Sequence, residues 1–211
     1  MKKILSVLLI CILTSITVFA QFSHITEIPT ATTSAEILNS LEVLLGTGNG
    51  LELEREVTRA EAVALLMRIH PEMTGAMGLP QPRFSDMDGH WAYKEVTYAN
   101  ILGLTAGTGN GEFTPDRIVT GKEFARMALC LLGYTDVTIE NAYDKAIDAE
   151  LLLNNFSKKV VFENAVLTRS DVARICHGAL LAKTNDGMFL KDKLCLAGKF
   201  TEEEFSVLSG E

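Results

Sequence analysis

The sequence predicts an all-α chain built on an internal repeat, and three observations carry that reading. The pentapeptide Gly46-Thr47-Gly48-Asn49-Gly50 returns unchanged as Gly107-Thr108-Gly109-Asn110-Gly111, and self-similarity of this kind marks a repeat architecture. Three helix-start signals follow the same plan: Thr58-Arg59-Ala60-Glu61, Thr120-Gly121-Lys122-Glu123 and Thr168-Arg169-Ser170-Asp171. Behind each start the apolar residues keep one helical register. They are Ala62, Leu65, Leu66 and Ile69, then Phe124, Met127, Ala128 and Leu131, then Val172, Ile175, Cys176 and Ala179. No single helix can hide such a stripe alone, so the three are expected to pack together as a central cluster.

Taken in order, the chain opens with Lys2 and Lys3 before an almost wholly apolar run from Ile4 to Phe19, closing on Val18-Phe19-Ala20. A basic start, a short apolar stretch and small residues at the cleavage positions describe an export signal, residues 1–20. The run is short for a membrane span and no basic cluster follows it, so no stable membrane insertion is expected after cleavage. Removing Lys2 and Lys3 from the 19 basic residues leaves 17 against 27 acidic ones, a net of −10. That balance argues against nucleic acid as a partner. The cysteines left are Cys130, Cys176 and Cys195, an odd number that makes no disulfide framework.

Residues 21–33 read as a polar leader. A helix is expected from Ser34, with Ile37, Leu41, Val43, Leu44 and Leu45 as its apolar face and Gly46 as its stop. His90 to Leu104 aligns without gaps to Ile139 to Asn154, pairing Ala92 with Ala142, Tyr93 with Tyr143, Ala99 with Ala149 and Leu102 with Leu152. Each repeat is therefore expected to run helix, loop, short extended piece, capped helix, over residues 34–79, 80–136 and 137–184. Residues 185–211 form a short helical tail with a further start at Thr201-Glu202-Glu203-Glu204.

A threonine N-cap accepts from a backbone N–H, worth about 1 kcal/mol, and Glu61 and Glu123 complete a capping box that the shorter Asp171 should complete less well. Capping leaves Arg59 and Arg169 unexplained. A cation in the first turn opposes the positive end of the helix dipole, and its occurrence twice suggests a site for an anion. Asp86-Met87-Asp88-Gly89 lacks EF-hand spacing, and Asp86 and Asp88 are expected to cap the helix at His90. The histidines are scattered and Cys-x-x-Cys is absent, so no metal and no cofactor is expected. No catalytic constellation stands out, and no enzyme activity is expected.

Phe84-Ser85-Asp86, His90-Trp91-Ala92, Ala99, Gly103, the Gly-x-Gly-x-Gly loop, Phe113-Thr114-Pro115 and the Thr-x-x-Glu helix together resemble an S-layer homology (SLH) repeat. Repeat one matches in its second half, and repeat three keeps the helix of Tyr143 to Ala149 and Leu167-Thr168-Arg169-Ser170-Asp171. The resemblance implies a pseudo-threefold SLH triplet with a central three-helix bundle and helix–loop prongs. It implies a secreted protein associated with the cell wall or S-layer of a Gram-positive bacterium. The implied partner is a secondary cell-wall polysaccharide, anionic and often carrying a pyruvate ketal, held non-covalently in grooves between repeats. The polysaccharide-binding candidates are Arg59, Arg169, Trp91, Lys122, Glu61 and Gly109. Arg59 and Arg169 match the family's carboxylate-holding arginine; Gly121 stands in that place in repeat two, with Lys122 about 100° further round the helix. Trp91 could stack on a sugar, though such a residue is more often a packing anchor. The alternatives are an assembly protein that binds other cell-surface proteins and, third, an accessory part of a wall-modifying enzyme.

Overall fold

The computed structural model describes residues 31–73, 83–152, 162 and 165–209. The expected export signal, nearly all of the leader and the stretch 153–161 lie outside the described residues. The helices are α1 (Ala31–Ser40), α2 (Arg59–Arg68), α3 (Tyr93–Ile101), α4 (Gly121–Leu131), α5 (Ala142–Asp148), α6 (Arg169–Leu181), α7 (Leu190–Leu196) and α8 (Glu202–Ser209), with a 3-10 turn at Ser85–Met87. Among the described residues there is no strand, only isolated bridges.

Helices α2, α4 and α6 are the three capped ones. Thr58, Thr120 and Thr168 each accept from the backbone three residues on, and the acidic side chain there reaches back to the cap amide. Asp171 closes its box as fully as the glutamates do: the Thr168 N–H donates to Asp171 Oδ2 at 3.0 Å. A further box joins Thr201 and Glu204 at the start of α8. Every residue of the three apolar stripes is buried, and α2, α4 and α6 touch one another.

The segments before the caps are tied into a ring. Thr58 bridges to Ile118, Thr120 to Val166, and Thr168 returns to Glu56. Each helix's first N–H donates to the backbone of the next segment: Arg59 to Arg117 O at 2.8 Å, Gly121 to Ala165 O at 3.2 Å, Arg169 to Arg55 O at 2.9 Å. The open N-terminal amides are thereby satisfied by protein, as buried backbone requires.

The remaining helices pack one step out of phase. Helix α3 lies on α2, α5 on α4, and α1 on α6, so each packs on a capped helix other than the one that follows it in the chain. A buried contact of 3.0 Å between Ser34 Oγ and His177 Nδ1 fastens α1 to α6.

Boundaries differ from expectation for local reasons. Helix α1 starts at Ala31 and stops at Ser40, because Glu42 takes a positive φ of 56° that a helix cannot continue. Leu41, Val43 and Leu44 are therefore buried from a turn, while Leu45 is exposed. Helix α3 starts at Tyr93, and Asp86 and Asp88 do not cap it; His90 Nδ1 accepts from the Ala92 N–H at 3.1 Å. Asp86 instead takes the Phe113 and Thr114 amides, at 2.9 and 2.7 Å, and fixes the exit of the second glycine loop.

Candidate functional site

The three seams of the ring are not alike, and the residue after each threonine cap decides how they differ. In the first seam, Arg59 opens α2 and is 5% exposed. Its Nε donates to Phe113 O and its Nη2 to Ala106 O, both at 3.1 Å, and its guanidinium sits 4.6 Å from the centre of the Phe113 ring. Ala106 and Phe113 flank the loop Gly107 to Gly111, so one side chain holds both ends of that loop. Nη1 reaches Glu123 Oε1 at 3.1 Å. Glu123 also receives Arg117, at 2.5 and 3.2 Å, and the amide of Thr120. Burial pushes the Glu123 carboxyl up, but the bonds from Arg117 and Thr120 outweigh it and hold its pKa below the usual range.

The second seam repeats the arrangement. Arg169 opens α6, is also 5% exposed, and donates from Nε to Leu51 O at 2.7 Å and from Nη2 to Leu45 O at 2.6 Å. Those carbonyls flank Gly46 to Gly50. Arg55 pairs with Glu61 at 2.6 and 3.1 Å as Arg117 does with Glu123. Arg169 differs from Arg59 in one respect: among the described residues its Nη1 has no partner. Burial acts against both arginine charges, and nearby carboxylates support them, Glu123 for Arg59 and Glu61 with Glu52 for Arg169.

In the third seam there is no arginine and no glycine loop. A Cβ on Gly121 would lie 2.2 Å from Phe162 O, well inside contact distance and against backbone that cannot swing aside. Phe162 is itself fully buried. The seam is filled by main chain where the other two hold a guanidinium.

The N-terminal N–H groups of α2 and α6 are taken up by protein acceptors. In α2 the first three N–H groups go to Arg117 O, Pro115 O and Thr58 Oγ1; in α6 they go to Arg55 O, Leu53 O and Thr168 Oγ1. Only the guanidinium groups could donate there. Two N–H groups of Arg59 and three of Arg169 remain after the bonds named above.

The other candidates are dispersed. Glu61 is fully engaged by Arg55 and the cap. Gly109 is exposed near the tip of the loop that Arg59 holds, with φ +122 and open space where a Cβ would be. Lys122 is half-buried and acts electrostatically on Glu140, away from both arginines. Trp91 reverses the expectation of a packing anchor. It is 60% exposed, beside the His90 ring at 5.5 Å, and His90 Nε2 lies 3.6 Å from Asp116. The residues that build the seams but escaped notice in the sequence are Arg55 and Arg117. The spacing Arg-x-x-Thr at 55–58 and 117–120 was the available signal.

This is a helical architecture with capped helices joined through arginine-held loops. Residues 83–125 match the S-layer homology domain family. The chain is 27% identical to a cell surface protein of Thermoanaerobacter kivui over 182 residues, 82% of this chain and 23% of that protein. It is 28% identical to an S-layer protein of Bacillus thuringiensis subsp. finitimus over 71% of this chain and 18% of that one. It is also 32% identical to an endoglucanase of Bacillus sp. (strain KSM-635) over 45% of this chain and 10% of the enzyme. The chain thus spans about a quarter or less of the length of these relatives. No helix among the described residues is long and apolar enough to cross a membrane.

Proposed function

We propose that the chain is a secreted, non-enzymatic module that anchors to the cell wall by binding an anionic secondary wall polysaccharide. On this reading residues 34–79, 80–136 and 137–184 are three SLH-like repeats in a pseudo-threefold triplet. Two seams bind: the clefts of Arg59 and Arg169, each offering guanidinium N–H groups to a carboxylate such as a pyruvate ketal. The observation that carries the reading is the pair of buried arginines at equivalent seams, each with donors left over after its loop is held. Arg169, with Nη1 wholly uncommitted, is the stronger of the two. Trp91 supplies an exposed ring for a sugar face. A segment shared by an S-layer protein and a small part of an endoglucanase carries what those proteins have in common, which is not glycan cleavage.

The test is co-sedimentation of the mature protein with purified wall sacculi. Binding is expected, and its loss after hydrofluoric acid strips the polymer. The double change Arg59→Ala with Arg169→Ala should abolish retention, with circular dichroism showing that the helices remain. Trp91→Ala should weaken retention with little change in melting temperature, because the indole is 60% exposed beside the His90 ring. Undiminished retention in a folded double variant would refute the assignment.

A second reading, contact with another surface protein, draws support from the tail, where Met188, Phe189 and Leu196 are exposed, Leu196 at 78%. Concentration-dependent association in the absence of polymer, abolished by Leu196→Ser, distinguishes it.

A further inference from the structure

Arg59 is the first residue of α2 and Arg68 the last, about 14 Å further along the helix axis. At that far end lies a cleft of about 380 Å³ that the arginine seams do not reach. It is bounded by the turn after α1, the last turns of α2, the first turn of α3 and the link from α7 to α8. Val43, Met67, Met73 and Phe200 give it an apolar wall, and three cations, Arg68, Lys94 and Lys199, border it.

The cations are short of partners. Arg68 Nη1 donates to Val43 O at 2.8 Å, and Lys199 Nζ to Arg68 O at 3.3 Å. Among the described residues neither has a carboxylate within 4.0 Å, and Lys94 makes no hydrogen bond or ion pair. Arg68 and Lys199 are half-buried, and burial lowers the pKa of both. A half-buried cation satisfied only by carbonyls is costly to keep charged, and an anion in the cleft would offset that cost. Two carboxylates border the same cleft. Glu42 is exposed, and Glu95, whose Oε2 is buried without a hydrogen-bond partner, supports the Arg68 charge from beyond ion-pair distance. Three positive and two negative side chains leave the lining with a net positive charge in a chain that is acidic as a whole.

We propose that this cleft is a second ligand site, for a small molecule that carries a carboxylate or phosphate on a compact body with an apolar face. A volume near 380 Å³ falls within the range of small-molecule pockets and suits a single sugar or polyol unit. Recognition combines the three cations with the apolar side chains of Met67, Met73 and Phe200 in the same lining. The site is independent of the wall-polymer reading, because it shares no residue with either arginine cleft.

The test is amide-resolved NMR on the isotope-labelled mature protein, titrated separately with N-acetylmuramic acid, glycerol 3-phosphate and neutral N-acetylglucosamine. Saturable shifts are expected at residues 41–43, 64–68, 94–95 and 199–200 with one or both anions, and none with the neutral sugar. Which anion saturates distinguishes a carboxylated sugar from a phosphorylated polyol. Lys199→Gln and Lys94→Gln should each weaken binding by about tenfold, the loss of one charged hydrogen bond. Lys94 holds nothing else in the fold, so its variant should melt as the parent does. The shifts should persist in the Arg59→Ala, Arg169→Ala protein. No saturable shift into the millimolar range, equal shifts from the neutral sugar, or unchanged affinity in both lysine variants would overturn the proposal.

Discussion

Gly121 occupies the one seam where an arginine would be impossible. Where Arg59 and Arg169 stand in the other two helices, Gly121 stands here, and Phe162 O lies where a Cβ would have to go. Gly121→Ala should therefore destabilise by about 1–3 kcal/mol through overpacking, read from the urea midpoint, while an exposed control such as Gly48→Ala should cost far less. Asp86 is the opposite case, a side chain whose sequence reading as a helix cap was too local. It accepts the amides of Phe113 and Thr114 across 27 and 28 residues, and Asp86→Ala should cost about 2 kcal/mol by leaving those amides unpaired. Sequence could not reveal this, since Asp-x-Asp before a helix reads equally well as a cap. The arginines show the same limit. A first-turn cation opposes the helix dipole, and what holds each of these is a carbonyl pair that only the folded loop supplies. Arg59 and Arg169 occur at the two seams where the following repeat has a glycine loop, and Gly121 faces a repeat that has none.

Helices were the most legible level. The threonine caps and the buried stripes follow from spacing alone, because a cap and a 3.6-residue period are properties of one stretch of chain. Thr58→Ala, Thr120→Ala and Thr168→Ala should each cost about 1 kcal/mol, measured by chemical denaturation. A loss confined to Thr58 and Thr120 would mean that Asp171 does not serve its box as the glutamates do. The pairing of helices was not legible. The aligned helices of repeats two and three carry the same apolar positions, so nothing in their sequence says whether each lies on its own capped helix or on its neighbour's. The fold puts each on a capped helix other than the one that follows it in the chain. The helix ends were also hidden, because a positive φ at a glutamate, as at Glu42, has no signature in composition.

At the scale of the molecule, the ring couples everything to everything else. An open solenoid can unfold repeat by repeat; here α1 sits on α6, and the first and third repeats share a seam. A single cooperative transition is expected, with matching hydrogen-exchange protection in α2, α4 and α6. Separate unfolding of α6 would contradict the closed arrangement. Acid should weaken the whole assembly in two stages. His70 is held neutral, its pKa lowered to about 4 by burial and by Lys199, and burial lowers that of His177 too. An unfolded histidine takes up its proton near pH 6.5, so stability is intact above that value and falls as pH drops from about 6.5 to 4, by about 3 kcal/mol for His70. Below about 4.5 the lowered carboxyls of Glu61 and Glu123 add a further loss as they protonate. Thermal melts across this range should show both stages, and His70→Gln should flatten the first.

The closed ring also bears on how such a chain can change over generations. A linear stack lengthens or shortens by duplicating or deleting a unit, since each end simply meets a new neighbour. A ring closed through the bridges Thr58–Ile118, Thr120–Val166 and Thr168–Glu56 has no such freedom. Deleting one of the bridged segments strands two rows of backbone donors and two helices meant for its surfaces, and inserting a fourth reopens the ring. Residues 137–184 carry no tryptophan, glycine loop or Phe-x-Asp, yet they supply Thr168, Arg169 and the bed for α1. A segment can thus lack those features and still be the piece that lets the ring close.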